Sequence, residues 1–157
     1  MLKIQPLTGR QNRTQFDSGS ALLDRWLRET AIQHQEKNLS KTFVAIADSD
    51  PERILGFYAL TVCEVRSDEL PKSLAKRLPR TVPGVRLGRL AVDRSIQGQC
   101  LGELLLMDAV ERARNVTAQV GIHALFVDAK DENAAAFYHH FGFQPFPDQA
   151  LTLVLKL

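Results

Sequence analysis

The stretch SIQGQCLGELLLMDAVERA, residues 95–113, decides how the chain is read. Gly98 and Gly102 straddle Cys100 and run directly into an apolar pattern of helical period. The first four N–H groups of a helix lack intrahelical partners and carry the positive end of its dipole, and small residues let such amides close around a phosphate. Taken alone, a glycine-bearing strand–helix turn is more often only a tight connection. It is no P-loop, because no GxxxxGKS or GxxxxGKT run exists, and no dinucleotide fingerprint, because GxGxxG is missing. Cys100 is the misfit: it brings a Cβ and a sulfur to a place where a phosphate-holding backbone wants glycine. A positive φ there costs on the order of 1 kcal/mol.

Upstream, VRLGRLAVD (85–93) predicts a central strand whose last part is apolar throughout. Downstream, Leu106, Ala109, Ala113, Val116 and Val120 step by threes and fours along one face, which predicts a helix of about 20 residues starting near Leu101. Further out, LKIQPL (2–7) reads as a strand. FDSGSALLDRWLRETAIQHQ reads as a helix capped by Ser18 or Ser20, with Leu22, Leu23, Trp26, Leu27 and Ala31 on its apolar face. KTFVAIAD (41–48) and ILGFYALTVCEV (54–65) are strands joined by the turn SDPER. ELPKSLAKRLPRTVPG (69–84), broken by prolines, leaves room for one short helix. IHALFVD (122–128) reads as a strand covered on both faces, and LTLVLKL (151–157) as a closing strand. Between them DENAAAFYHHFG (131–142) is a short helix, capped by Asp131 and stopped at Gly142. The order predicts a mixed α/β fold in a single domain spanning residues 1–157.

With 45% hydrophobic and 24% charged residues, the composition is that of an ordinary globular chain. No charge-poor apolar run approaches the ~20 residues of a membrane span, and no signal peptide opens the chain. Cys63 and Cys100 have no paired spacing, so neither a disulfide framework nor a zinc site is signalled, and a reduced, cytoplasmic setting is expected. The net charge of +2 is small, but Lys72, Lys76, Arg77, Arg80, Arg86 and Arg89 follow one another without an intervening acid. Such a run is either a solvated loop or a landing site for a polyanion.

LAVDRSIQGQCLGELLLMDAV (90–110) resembles the acetyl-CoA-binding motif of the GNAT N-acetyltransferases, Q/R-x-x-G-x-G/A after a central strand. It aligns on Gln97, Gly98, Gln99, Cys100, Leu101 and Gly102. The element order is also that of the family, so the resemblance spans essentially the whole chain. DENAAAFYHHFGF matches the family's late helix, whose tyrosine, here Tyr138, faces the cofactor sulfur. FDSGSALLDRWLRETA, ILGFYALTV, RLGRLAVD and AFYHHFGF with LTLVL resemble more finely the TacT-like toxins of type II toxin–antitoxin systems.

The resemblance implies a GNAT fold, with a mostly antiparallel central sheet splayed at the acetyl-CoA site and flanked by helices. It implies acetyl-CoA as cofactor, contacted by Leu90, Ala91, Val92, Gln97, Gly98, Gln99, Cys100, Leu101, Gly102, Asn133 and Phe137, with Tyr138 as catalytic acid. It implies aminoacyl-tRNA as substrate, which gives the six cations the role of holding acceptor-end phosphates. A ribbon-helix-helix antitoxin and a homodimer are the implied partners. Two departures stand out: Cys100 replaces the motif's first glycine, and Gln99 stands where close toxin relatives often carry arginine.

The residue chemistry suits that reading, with alternatives open. A phenol of pKa ~10 can donate to a leaving thiolate of pKa ~8.5, although Tyr138 among Phe137, Phe141 and Phe143 also reads as a core aromatic. No convincing general base is visible, since nothing marks Glu64 or Asp93 as desolvated. That favours an α-amine, of pKa about 7.7–8, over a lysine near 10.4. His139 and His140 point about 100° apart on a helix and cannot chelate one ion together; His34 and His123 receive no metal role. An acetyltransferase for protein N-termini or small amines, or a degenerate acyl-CoA-binding module, are the competing readings.

Overall fold

The structure is a computed structural model that describes residues 1–157. Its strands β1 (Leu2–Pro6), β2 (Lys41–Ala47), β3 (Gly56–Arg66), β4 (Thr81–Val92), β5 (Ala124–Asp128), β6 (Gln144–Phe146) and β7 (Gln149–Lys156) follow the sheet order β1-β2-β3-β4-β5-β7-β6. The β4–β5 pair is parallel, while β1–β2, β2–β3, β5–β7 and β6–β7 are antiparallel. Helices α1 (Ala21–Glu29), α2 (Ala31–Glu36), α3 (Lys72–Ala75), α4 (Leu101–Val116) and α5 (Glu132–His140) complete the mixed α/β fold. No helix is long and apolar enough to cross a membrane. The chain divides into two compact units, Met1–Thr61 with Gly88–Ala109, and Val62–Leu87 with Val110–Leu157.

The first unit is built on the β1–β2–β3 ladder, with Ile4 opposite Ala45 and Val44 opposite Phe57. Its core gathers Leu7, Phe16, Trp26, Leu27, Val44, Ile46, Phe57 and Ala91. The rings of Trp26 and Phe57 stack at 6.1 Å, and Phe16 meets Phe57 edge-on at 5.4 Å. Gly56 lets α4 lie close to the sheet: a Cβ there would stand 2.8 Å from Leu105 Cδ1 and 3.0 Å from the Ala91 carbonyl oxygen. Of the two candidate caps, Ser20 is the one that accepts from the Leu23 N–H, while Ser18 bonds Asp24.

The expected single helix breaks at Thr30 into α1 and α2, because Thr30 leaves helical geometry at φ −120°. Gln35 on α2 then donates to the Leu7 carbonyl and accepts from the Thr42 N–H, which ties the helix to β2 and the end of β1. Leu22 is 78% exposed, contrary to its expected place on the apolar face. It lies roughly 100° away from Leu23 around the helix, beyond the arc that Trp26, Leu27 and Ala31 bury.

In the second unit, Gly84 pairs with Ala124 and Leu87 with Val127, while Phe126 faces Val154. Val65, Leu70, Val82, Ala124, Phe126, Phe146 and Val154 form its core. Asp131 accepts from the Ala134 N–H at 2.8 Å and caps α5, and Gly142 at φ +96° follows its end. Strand β4 starts at Thr81, not Val85, and passes through exposed Pro83, whose carbonyl accepts from His123. Helix α4 stops at Val116 short of the expected length, where the amide and hydroxyl of Thr117 both bond the Arg114 carbonyl. Val116 and Val120 are accordingly exposed. Strand β6 was not expected; it is short, contains Pro145 and is irregular at Pro145/Phe146.

Candidate functional site

In the first unit, β4 ends at Val92 and the chain passes through one 3-10 turn, Arg94–Ile96, before entering α4 at Leu101. Gly98 has φ +82° and Cys100 φ +67°. Cys100 therefore holds a left-handed conformation, at a cost on the order of 1 kcal/mol. Gln97, Gly98, Gln99 and Cys100 are exposed, and nothing stands within 4 Å of where a Cβ on Gly98 would be. Leu101 is buried and anchors the start of the helix. Gln97 spends its side chain internally: Nε2 donates to the carbonyls of Ser18 and Val92, both at 2.9 Å. What this glutamine offers a ligand is its backbone.

Neither carboxylate considered as a base has the character of one. Glu64 is exposed. Asp93 is buried, which pulls its carboxyl upward, but the N–H of Asp17, the N–H and O–H of Ser95 and the charge of Arg53 outweigh this and hold it below the ordinary range.

Arg89 also belongs to the first unit. Its guanidinium lies 4.3 Å over the Trp26 ring, with His34 edge-on to that ring at 6.0 Å. Burial lowers its pKa, and all three side chains line a cavity of about 190 Å³. Sequence reasoning missed this group, because the break at Thr30 that sets α2 is what places His34.

In the second unit, α5 carries Asn133, Phe137 and Tyr138. Asn133 is exposed in its first turn and Phe137 half-buried. Tyr138 is 7% exposed, its ring edge-on to Phe137 at 5.4 Å and Phe143 at 5.6 Å. Burial pushes its phenol up to about 12, so the O–H stays protonated throughout the physiological range.

The run of cations divides. Lys72, Lys76, Arg77 and Arg80 are exposed, Arg77 in a left-handed conformation at φ +62°. Arg86 is ion-paired with Asp128 beside half-buried Cys63, whose thiol burial pushes up. Its charge is thus already matched, as Arg89 is already stacked.

Comparison with known proteins bears on the family and the fold. Residues 10–143 match the acetyltransferase (GNAT) family. The chain is 39% identical over 144 residues, 92% of its length and 85% of the relative's, to a tRNA-acetylating toxin of Mycobacterium tuberculosis. It superposes with a TM-score of 0.92 and 31% identity on AtaT complexed with acetyl-methionyl-tRNAfMet, covering 99% of this chain and 95% of that one. With AtaTR bound to acetyl-CoA the TM-score is 0.85 at 32% identity, over 99% and 93% of the two chains. Motif, fold and matches coincide, and the chain belongs to the GNAT family of acetyltransferases.

Proposed function

We propose that this protein is an acetyl-CoA-dependent N-acetyltransferase that modifies the α-amino group of aminoacyl-tRNA and so blocks translation, as the toxin of a toxin–antitoxin pair. The observation that carries the reading is the turn Gln97–Gly102, open and left-handed at Gly98 and Cys100 at the mouth of α4, in a chain so similar to tRNA-acetylating relatives. Acetyl-CoA supplies an activated acetyl thioester. Backbone amides of Gln97–Gly102 would hold its pyrophosphate, with Asn133 and Phe137 along its arm, and an N–H of Leu90–Val92 would carry the developing oxyanion. Tyr138 holds a proton for the departing sulfur. An α-amine, partly neutral near pH 7.7–8, needs no strong base, which fits the character of Glu64 and Asp93. Exposed Lys72, Lys76, Arg77 and Arg80 supply phosphate contacts for the acceptor end, with Arg86 and Arg89 beside them in sequence. An antitoxin partner is supported by likeness to AtaT bound to the C-terminus of the antitoxin AtaR; a ribbon-helix-helix type, a homodimer and a cytoplasmic setting complete the reading.

Incubation with labelled acetyl-CoA and a full set of charged tRNAs tests it. Label on the aminoacyl group is expected. Transfer only to peptide N-termini or small amines would substitute the broader acetyltransferase, and binding without turnover an acyl-CoA module. Replacing Lys72, Lys76, Arg77 and Arg80 together by alanine should flatten the slope of log K for tRNA against log salt by nearly one unit per lost contact. Acetyl-CoA affinity should hold. An unchanged slope makes these four a solvated loop.

A further inference from the structure

We propose that Asp93 is the positioning residue of the turn Gln97–Gly102, its carboxylate locking the segment after β4 to the segment before α1 so that the turn's amides are fixed in advance of the ligand. This rests on the reading of that turn as the pyrophosphate site. Asp93 is 7% exposed, and a buried carboxylate is costly unless its oxygens are satisfied. Here both are. Oδ2 accepts from the Asp17 N–H at 3.0 Å, and Oδ1 accepts from the Ser95 N–H at 3.0 Å and the Ser95 hydroxyl at 2.8 Å. Arg53 donates to the Ser95 hydroxyl oxygen at 2.7 Å and stands 3.8 Å from Asp93 Oδ1, which completes a relay Arg53–Ser95–Asp93.

The backbone returns the same contacts. The Asp93 N–H donates to the Leu55 carbonyl and the Arg94 N–H to the Asp17 carbonyl, each at 2.8 Å. Arg94 also pairs with Asp17 at 3.4 Å. Gln97 adds its bonds to the Ser18 and Val92 carbonyls. Three stretches far apart in sequence, around Arg53, Asp17–Ser18 and Asp93–Gln97, thus converge on one carboxylate.

That concentration of donors has a use. Gln97, Gly98, Gln99 and Cys100 are exposed, so the turn gains little rigidity from core burial of its own until Leu101. An amide cradle that wanders by an ångström loses much of its hold on a ligand. Asparagine cannot take over the role. Both oxygens accept from N–H groups, so its amide would set an NH₂ against the Asp17 or the Ser95 donor.

The test uses the full-length protein, with acetyl-CoA affinity measured by calorimetry and turnover measured on bulk aminoacyl-tRNA. Asp93→Asn should weaken acetyl-CoA binding by about tenfold or more and Ser95→Ala by less. KM for acetyl-CoA should rise in step, with kcat at saturating acetyl-CoA within about twofold of the parent. A folded Asp93→Asn protein with parental affinity, or one that loses kcat at unchanged KM, overturns the proposal. Should Asp93→Asn fail to fold, the pair Ser95→Ala with Arg53→Gln loosens the same carboxylate from its exposed side and is read the same way. A parent that binds acetyl-CoA with no sensitivity to these changes overturns the positioning role alone. A parent that binds none overturns the reading of the turn, and this role with it.

Discussion

Around the turn between β4 and α4, order comes from hydrogen bonds: Asp93 and Gln97 between them tie Asp17, Ser18, Val92 and Ser95 together. Around Tyr138 it comes from rings, with Phe137, Phe141 and Phe143 meeting edge to face. On the proposed function, the contrast follows from the charge each region would meet. An anion that arrives with its own water must be offered fixed donors at the surface, and a polar scaffold supplies them. A proton donor that must stay protonated is better served by a dry surround, and burial of Tyr138 supplies that, moving its phenol to about 12. One region is polar and exposed, the other aromatic and buried, and each should fail in its own way.

The largest effect is expected at Tyr138. Tyr138→Phe removes only the hydroxyl and leaves the ring packing, so turnover should fall by ~10²–10⁴ while acetyl-CoA affinity and thermal midpoint stay near parental. Near-normal turnover would return the residue to the core.

Next comes the response to pH, which should divide between the regions. The folded-state pKa of Tyr138 is raised above its unfolded value near 10. Its contribution to stability is therefore fully present below pH ~10 and is lost as pH rises through about 12, amounting to about 2–3 kcal/mol. Urea unfolding across that window should show the loss in the parent and a smaller one in Tyr138→Phe. For Asp93 the sign reverses: its pKa is lowered, so its contribution is present above the unfolded carboxyl value and disappears as pH falls through the lowered one. If Tyr138→Phe leaves the alkaline loss untouched, the division between the regions is wrong.

The smallest effect belongs to Cys100. Its backbone is left-handed at φ +67°, so Cys100→Gly should stabilise the fold by about 1 kcal/mol. Tighter acetyl-CoA binding has a separate cause, the removal of a Cβ and sulfur from beside the phosphates. Adding Gln99→Arg should tighten it further through a charge-assisted contact. Weaker binding in the double variant would mean that the motif is misaligned.

Where residues near in sequence do the organising, the sequence could be read. The passage from LAVD through the turn into α4, the Asp131 cap and the stop at Gly142 were all legible, whereas the positive φ at Cys100 entered only as a condition. What escaped depends on partners far along the chain. Thr30 breaks a helix whose apolar period runs straight through it, and the bonds from Gln35 to Leu7 and Thr42 show what the break accommodates. Strand β6 is three residues with a proline, readable only once β7 lies beside it. Asp93 shows the same limit within the candidate site. In sequence it is an acid at a strand end; its burial and donors come from Asp17, Arg53 and Ser95 together.

The chain contains a single tryptophan, and Trp26 lies beneath the Arg89 guanidinium with the edge of His34 against it. The protein therefore carries its own optical reporter. Indole emission responds to a cation resting on the ring, so a ligand that drew Arg89 away would change the fluorescence without any label. The signal arises in the first unit. Excitation at the indole band during a titration with tRNA and, separately, with acetyl-CoA would record which ligand disturbs this corner of the molecule.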